Sequence, residues 1–237
     1  MTRTLSAIGL AAALAAPATA ATFYSSAGDP GDTLQFSNDN RVESRLRVDN
    51  NNWDSRLEFD SFPDNGDMTD DVFNAGQAEN RTFGFAMSFS LATSEVSWTI
   101  TDDAGGTLST LTQSVTGFGD VNIIQIFTNG ARGSVSLADV TYTDAMQTVG
   151  MWPDIDTQPA ADGGPTFAET FLFLGDGYNV LGGDFSLTGD ISFGTFTSPN
   201  PSEAAKITIK LREGFIPAPG AAALLGFAGL AAARRRR

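Results

Sequence analysis

Ala204-Ala205-Lys206-Ile207-Thr208-Ile209-Lys210-Leu211-Arg212 is the stretch on which the fold turns. Ala205, Ile207, Ile209 and Leu211 alternate with Lys206, Thr208, Lys210 and Arg212. Successive strand residues point to opposite faces, so this pattern predicts a strand with an apolar inner face and a polar outer one. The same period runs back along the chain. Val42, Ser44, Leu46 and Val48 alternate with Glu43, Arg45 and Arg47. Asp49-Asn50-Asn51-Asn52 reads as a turn, and Trp53, Ser55, Leu57 and Phe59 resume the alternation, which predicts a hairpin. Its charges read as cross-strand pairs on a solvated face.

Further strands follow by the same reasoning. Phe83, Phe85, Met87, Phe89 and Leu91 alternate with Gly84, Ala86, Ser88 and Ser90, which predicts a central strand. Val96, Trp98 and Ile100 form another, ended by Asp102-Asp103-Ala104-Gly105-Gly106. Val121 to Phe127 is apolar enough for burial on both faces. Val135 and Leu137 fall out of parity with Val140 and Tyr142, which predicts a bulge near Asp139. Thr166 to Leu174 and Asp184 to Phe193 are strands; Asp60 to Asp71 and Met151 to Pro165 read as loops. No stretch keeps a 3.6-residue period. The body, residues 22–213, is therefore expected to be all-β: an antiparallel β-sandwich of ten to twelve strands, jelly-roll-like.

Composition removes most chemistry. The chain of 237 residues has no His and no Cys. Histidine general bases, the Ser-His-Asp triad, disulfides, thiolate metal sites and cysteine nucleophiles are excluded. A net charge of −14 argues against nucleic acid, which needs clustered cations.

Both ends read as processing segments. Arg3, the apolar run Ile8 to Ala16 and the small residues Ala18-Thr19-Ala20 read as a secretory signal over residues 1–20, cut before Ala21. At the other end, residues 214–220 read as a linker with the motif Ile216-Pro217-Ala218-Pro219-Gly220. Residues 221–237 follow as a short hydrophobic helix and the cluster Arg234-Arg235-Arg236-Arg237. A helix from Pro219 to Ala233 would be about 22 Å long, which spans a bilayer only with local thinning. The arginines place that flank in the cytoplasm and the body outside. Without these five terminal arginines the body has nine basic residues against 28 acids, a net −19.

The tail resembles the PEP-CTERM sorting signals of exosortase substrates in Gram-negative, biofilm-forming bacteria. Those tails join a Pro-x-Pro motif, a short apolar helix and a basic terminus. Here the motif is Pro217-Ala218-Pro219, with Ala218 where the family usually carries Glu. Ala78-Glu79-Asn80-Arg81-Thr82-Phe83, Ile124-Gln125-Ile126-Phe127-Thr128, Pro165 to Phe171 and Asn200-Pro201-Ser202-Glu203 through Leu211 resemble the choice-of-anchor class of surface domains. That resemblance implies an extracellular β domain and transfers no catalytic residue.

Four kinds of site are open to such a chain. Calcium takes carboxylate oxygens, and Asp64, Asp67, Asp70 and Asp71, beside Asn65, are the densest local cluster, with Asp102-Asp103 a lesser one. The cluster lacks EF-hand spacing, and Asp and Asn also serve turns by bonding their own backbone. Glu79, Glu95 and Glu169 are the acids from which a glycosidase pair would be drawn. Trp152, in a Pro/Asp/Gly loop, is the expected surface aromatic for a glycan, with a packing role at the sandwich end as the other reading; Trp53 and Trp98 have core parity. Asn80-Arg81-Thr82 matches a glycosylation acceptor by chance alone.

The expectation is thus a non-enzymatic exported protein without a required cofactor. Its partners are signal peptidase, an exosortase-like sorting enzyme and exopolysaccharide, and it reaches the cell surface or matrix through transient inner-membrane anchoring. A carbohydrate-binding module of the matrix, and a carboxylate-dependent polysaccharide hydrolase, are the alternatives.

Overall fold

The structure is a computed structural model that describes residues 21–25, 35–49, 52–60, 68–73, 79–115, 120–131, 133–145, 148–149, 152–158, 166–175, 177–196 and 205–215. In chain order the strands are β1 (Thr22–Ser25), β2 (Gln35–Asp49), β3 (Asn52–Asp60), β4 (Met68–Phe73), β5 (Arg81–Ser90), β6 (Glu95–Thr101) and β7 (Thr107–Ser114). They continue with β8 (Ile123–Gly130), β9 (Gly133–Asp144), β10 (Thr148–Val149), β11 (Ile155–Thr157), β12 (Thr166–Phe173), β13 (Phe185–Phe196) and β14 (Ala205–Phe215). Among the described residues the one helical element is a 3-10 turn at Val180–Gly182, and no helix is long and apolar enough to cross a membrane.

The strands make two antiparallel sheets. One has the order β1-β12-β8-β14-β2-β3-β4; the other runs β10-β9-β13-β5-β6-β7, with β11 paired to β9. The inner faces share one core. Val42, Leu46, Ile124, Ile126, Ile207, Ile209 and Leu211 come from the first sheet, and Phe83, Met87, Trp98, Ile100, Leu137 and Leu187 from the second. Aromatic pairs such as Phe85–Trp98, with centroids 5.6 Å apart, fill the second sheet's side of it. The described residues are all-β, and the period-two alternation that predicted this is the alternation that builds the core.

The β2–β3 hairpin closes at Asp49 opposite Asn52, as the turn cluster predicts. β5 lies centrally between β13 and β6. The expected bulge sits where parity breaks: Asp139 has φ 54°, and two residues of β9, Asp139 and Val140, stand against the one residue Gly189 of β13 between the pairs Thr141–Thr188 and Ala138–Asp190. β8 is buried on nearly every position. Ala21 packs against the core immediately before β1.

Other expectations change. Met68–Phe73, inside the expected acidic loop, forms edge strand β4 against β3. An edge strand needs only one partner, and charges on it hinder further pairing. Ile155–Thr157, in the second expected loop, forms β11. Thr107–Ser114 is a strand without a clean apolar alternation, β7. Leu91 lies past the end of β5 and is 52% exposed, its amide donating to Asp184 Oδ1. Thr208 takes an outward register position yet is buried, between Phe127 of β8 and Arg45 of β2. Long side chains lying over a sheet cover a short one between them. β14 continues past residue 213 to Phe215, with Gly214 opposite Phe36 and Phe215 opposite Gln35.

Candidate functional site

The outer face of the first sheet gathers the positive charge of the body. Along β2 its register positions are Arg41, Glu43, Arg45, Arg47 and Asp49; along β3, Asp54, Arg56, Glu58 and Asp60; on β4, Asp70. β14 adds Lys206, Lys210 and Arg212, and β12 adds Glu169. By register, seven of the nine basic residues of the body take positions on this face, interleaved with acids on the same strands. The sequence of the body holds 21 further acids and two further cations.

Within this face the charges are treated differently. Lys210 Nζ lies 3.3 Å from Glu43 Oε2 on the neighbouring strand. Arg212 donates to Gln125 Oε1 at 3.4 Å, and Gln125 donates to Glu169 Oε1 at 3.4 Å. Lys206 has no carboxylate beside it among the described residues; its ammonium sits 5.9 Å from the centroid of the Phe127 ring. That ring stacks on Phe167 at 5.4 Å. Phe167 is 58% exposed, and with Leu91 it makes up the large apolar side chains left exposed among the described residues. Such a stack contributes about 0.5–1.5 kcal/mol beyond area burial.

Between Phe167 and Lys206 lies Asn129. The register runs Phe167 on β12, Asn129 on β8 and Lys206 on β14, in one row across the sheet. Asn129 is 8% exposed, and its Oδ1 is buried without a hydrogen-bond partner among the described residues. An unpaired buried acceptor costs about 1–3 kcal/mol. β1 covers β12 only from Thr170 to Phe173, so the row begins at a part of β12 that β1 leaves uncovered.

The residues singled out from sequence are dispersed. Asp64 and Asp67 lie outside the described residues. Asp70 and Asp71 stand in β4 opposite Arg56 and Ser55, consecutive positions that belong to opposite faces. Asp102 Oδ1 accepts from the amides of Ala104 at 3.0 Å and Gly106 at 2.6 Å, which is turn chemistry. Asp103 lies 3.6 Å from Arg81. No group of three acids close enough to hold a metal occurs among the described residues.

Glu169 belongs to the first sheet, whereas Glu95 opens β6 and Glu79 precedes β5 in the second. Glu79 Oε1 accepts from the Phe196 amide at 3.1 Å, so it closes a strand end. Asn80 adopts φ 56° and accepts from Thr195 Oγ1. Trp98 is in the core, as its parity predicts. Trp152 corrects the expectation of a surface ring: it is 3% exposed and part of the core, with its amide bonded to Val140 O. A buried indole cannot stack on a sugar. The side chain of Trp53 and the segments holding Ala18, Ala20, Ile216–Gly220 and Arg234–Arg237 lie outside the description.

A shallow hollow of about 390 Å³ opens on the second sheet, lined by Ser134, Ser136, Ser192, Asp154, Asp156 and others; Asp156 accepts from Gln158. Elsewhere Asp144 accepts from both Tyr142, at 2.6 Å, and Tyr178. Burial, then the bond to Asp144, pushes the Tyr142 phenol far above its ordinary range.

No protein-family model matches this chain, and no curated protein matches it.

Proposed function

We propose that this is an exported, non-enzymatic protein of the cell surface or extracellular matrix of a Gram-negative bacterium. Signal peptidase removes residues 1–20, and an exosortase-like enzyme cleaves at Ile216-Pro217-Ala218-Pro219-Gly220. The short apolar segment 221–233 and Arg234–Arg237 hold the chain transiently in the inner membrane until then. Signal and membrane helices, and a jelly-roll-like course of the strands, belong to this proposal.

The observation that carries it is the tail: motif, apolar run and basic terminus in that order. Two features of the body are consistent with it. β14 pairs through Phe215, one residue before Ile216, so the motif follows directly on a folded sheet. A body of net −19 resists aggregation outside the cell. The absence of His and Cys supports the non-enzymatic part.

Deletion of residues 221–237 tests the proposal in the native host. The protein then loses the surface and membrane fractions and appears freely soluble outside the inner membrane. An unchanged distribution after the deletion would remove the sorting role.

A further inference from the structure

We propose that Phe167, Asn129 and Lys206 form a binding site for an acidic polysaccharide, one whose sugar rings carry carboxylates. The site goes beyond the sorting reading and does not depend on it.

The three residues occupy one row across β12, β8 and β14. Two strand spacings set Phe167 and Lys206 about 10 Å apart, a width suited to one sugar ring with its substituents. Each residue supplies a different recognition element. The exposed Phe167 ring, held in place by its stack on Phe127, offers a face for the C–H side of a sugar. Asn129 carries a buried Oδ1 without a hydrogen-bond partner among the described residues, which a sugar hydroxyl satisfies after a small shift of the side chains over it. Lys206 supplies an ammonium with no carboxylate beside it, whereas Lys210 two residues on is engaged by Glu43. Aromatic face, amide and free cation in one line match a carboxylated ring better than a neutral one.

The acidity of the body does not forbid an acidic ligand. In physiological salt, charges beyond about 8 Å are largely screened, while contact pairs persist. In register Lys206 stands between Asn129 and Arg47, so no carboxylate flanks it within the sheet. A second copy of the chain fits less well. A stable dimer buries about 800 Å² per partner, and this row exposes one large apolar ring.

The test is affinity electrophoresis of the purified full chain through gels containing polygalacturonate, with dextran as the neutral control. Retardation by polygalacturonate and not by dextran is expected. Phe167→Ala weakens it at least tenfold, Lys206→Gln does the same, and Lys206→Arg retains it. Phe167 is exposed and Lys206 partly so, and unchanged melting temperatures confirm that the variants fold. The proposal is overturned by no retardation, by equal retardation in dextran, or by retardation that both variants leave intact. Concentration-dependent dimerisation abolished by Phe167→Ala would overturn it too, by naming a second copy as the occupant.

Discussion

Asn122 is a polar residue inside an apolar run, and its side chain explains why. Its amide donates to Gly214 O at 2.8 Å and Gly175 O at 3.3 Å and accepts from Gly214 N at 2.9 Å. It thus ties the end of β14 to the segment after β12. Asn122→Ala leaves these backbone groups unpaired in a buried setting and is expected to cost about 2 kcal/mol. A lowered denaturant midpoint with unchanged slope checks this. Gly189 makes the complementary point. A Cβ there meets Phe85 Cε1 at 2.8 Å and Val140 Cγ2 at 3.0 Å, both on buried side chains. Gly189→Ala is expected to destabilise by about 1–3 kcal/mol through overpacking, read as a lower melting temperature. The need for glycine arises from β5, β9 and β13 meeting, which no local pattern reveals. Asn129 and Phe167 were hidden for the same reason: only the pairing of β12, β8 and β14 puts them in line.

Strands with one wet and one dry face were legible, because alternation is written along a single element. β2, β5, β6 and β14 show it, and their apolar positions are buried where described. The bulge at Asp139 was legible as a break in parity. β4, β7 and β11 were not, since short, polar or edge strands are stabilised by pairing with another strand, which the pattern of a single segment does not record. The same dependence buried Trp152: its loop is polar, but β11 pairs with β9 beside it and draws the indole into the core. At this scale β9 also carries a pH response. The Tyr142 phenol is buried and bonded to Asp144, so the folded chain holds that proton more tightly than the unfolded chain, whose value is near 10.0. The resulting stability is complete below about pH 10 and lost as pH rises above it. Unfolding free energy is expected to stay level toward pH 9 and fall above about 10, with a shallower fall in Tyr142→Phe. Equal slopes for both chains above that pH would contradict this.

Across the whole molecule, charge is the organising quantity. The net −14 combines five terminal arginines with a body of −19, and within the body the cations collect on the outer face of one sheet. The hairpin charges read from sequence as simple cross-strand pairs are part of this larger face, which reaches from β4 to β12. Of the expected calcium cluster, Asp70 and Asp71 stand on consecutive positions of an edge strand, and Asp64 and Asp67 lie outside the described residues. The two ends of the chain lie outside the described residues; they are read from sequence alone, as linear motifs that need no tertiary partner, and the proposed function rests on that reading. The measurement that bears on it most directly is the mass of the mature protein from its native host. The account predicts a C-terminus within Ile216–Gly220 and no trace of residues 221–237. A mature chain that still ends in Arg234–Arg237 would contradict it.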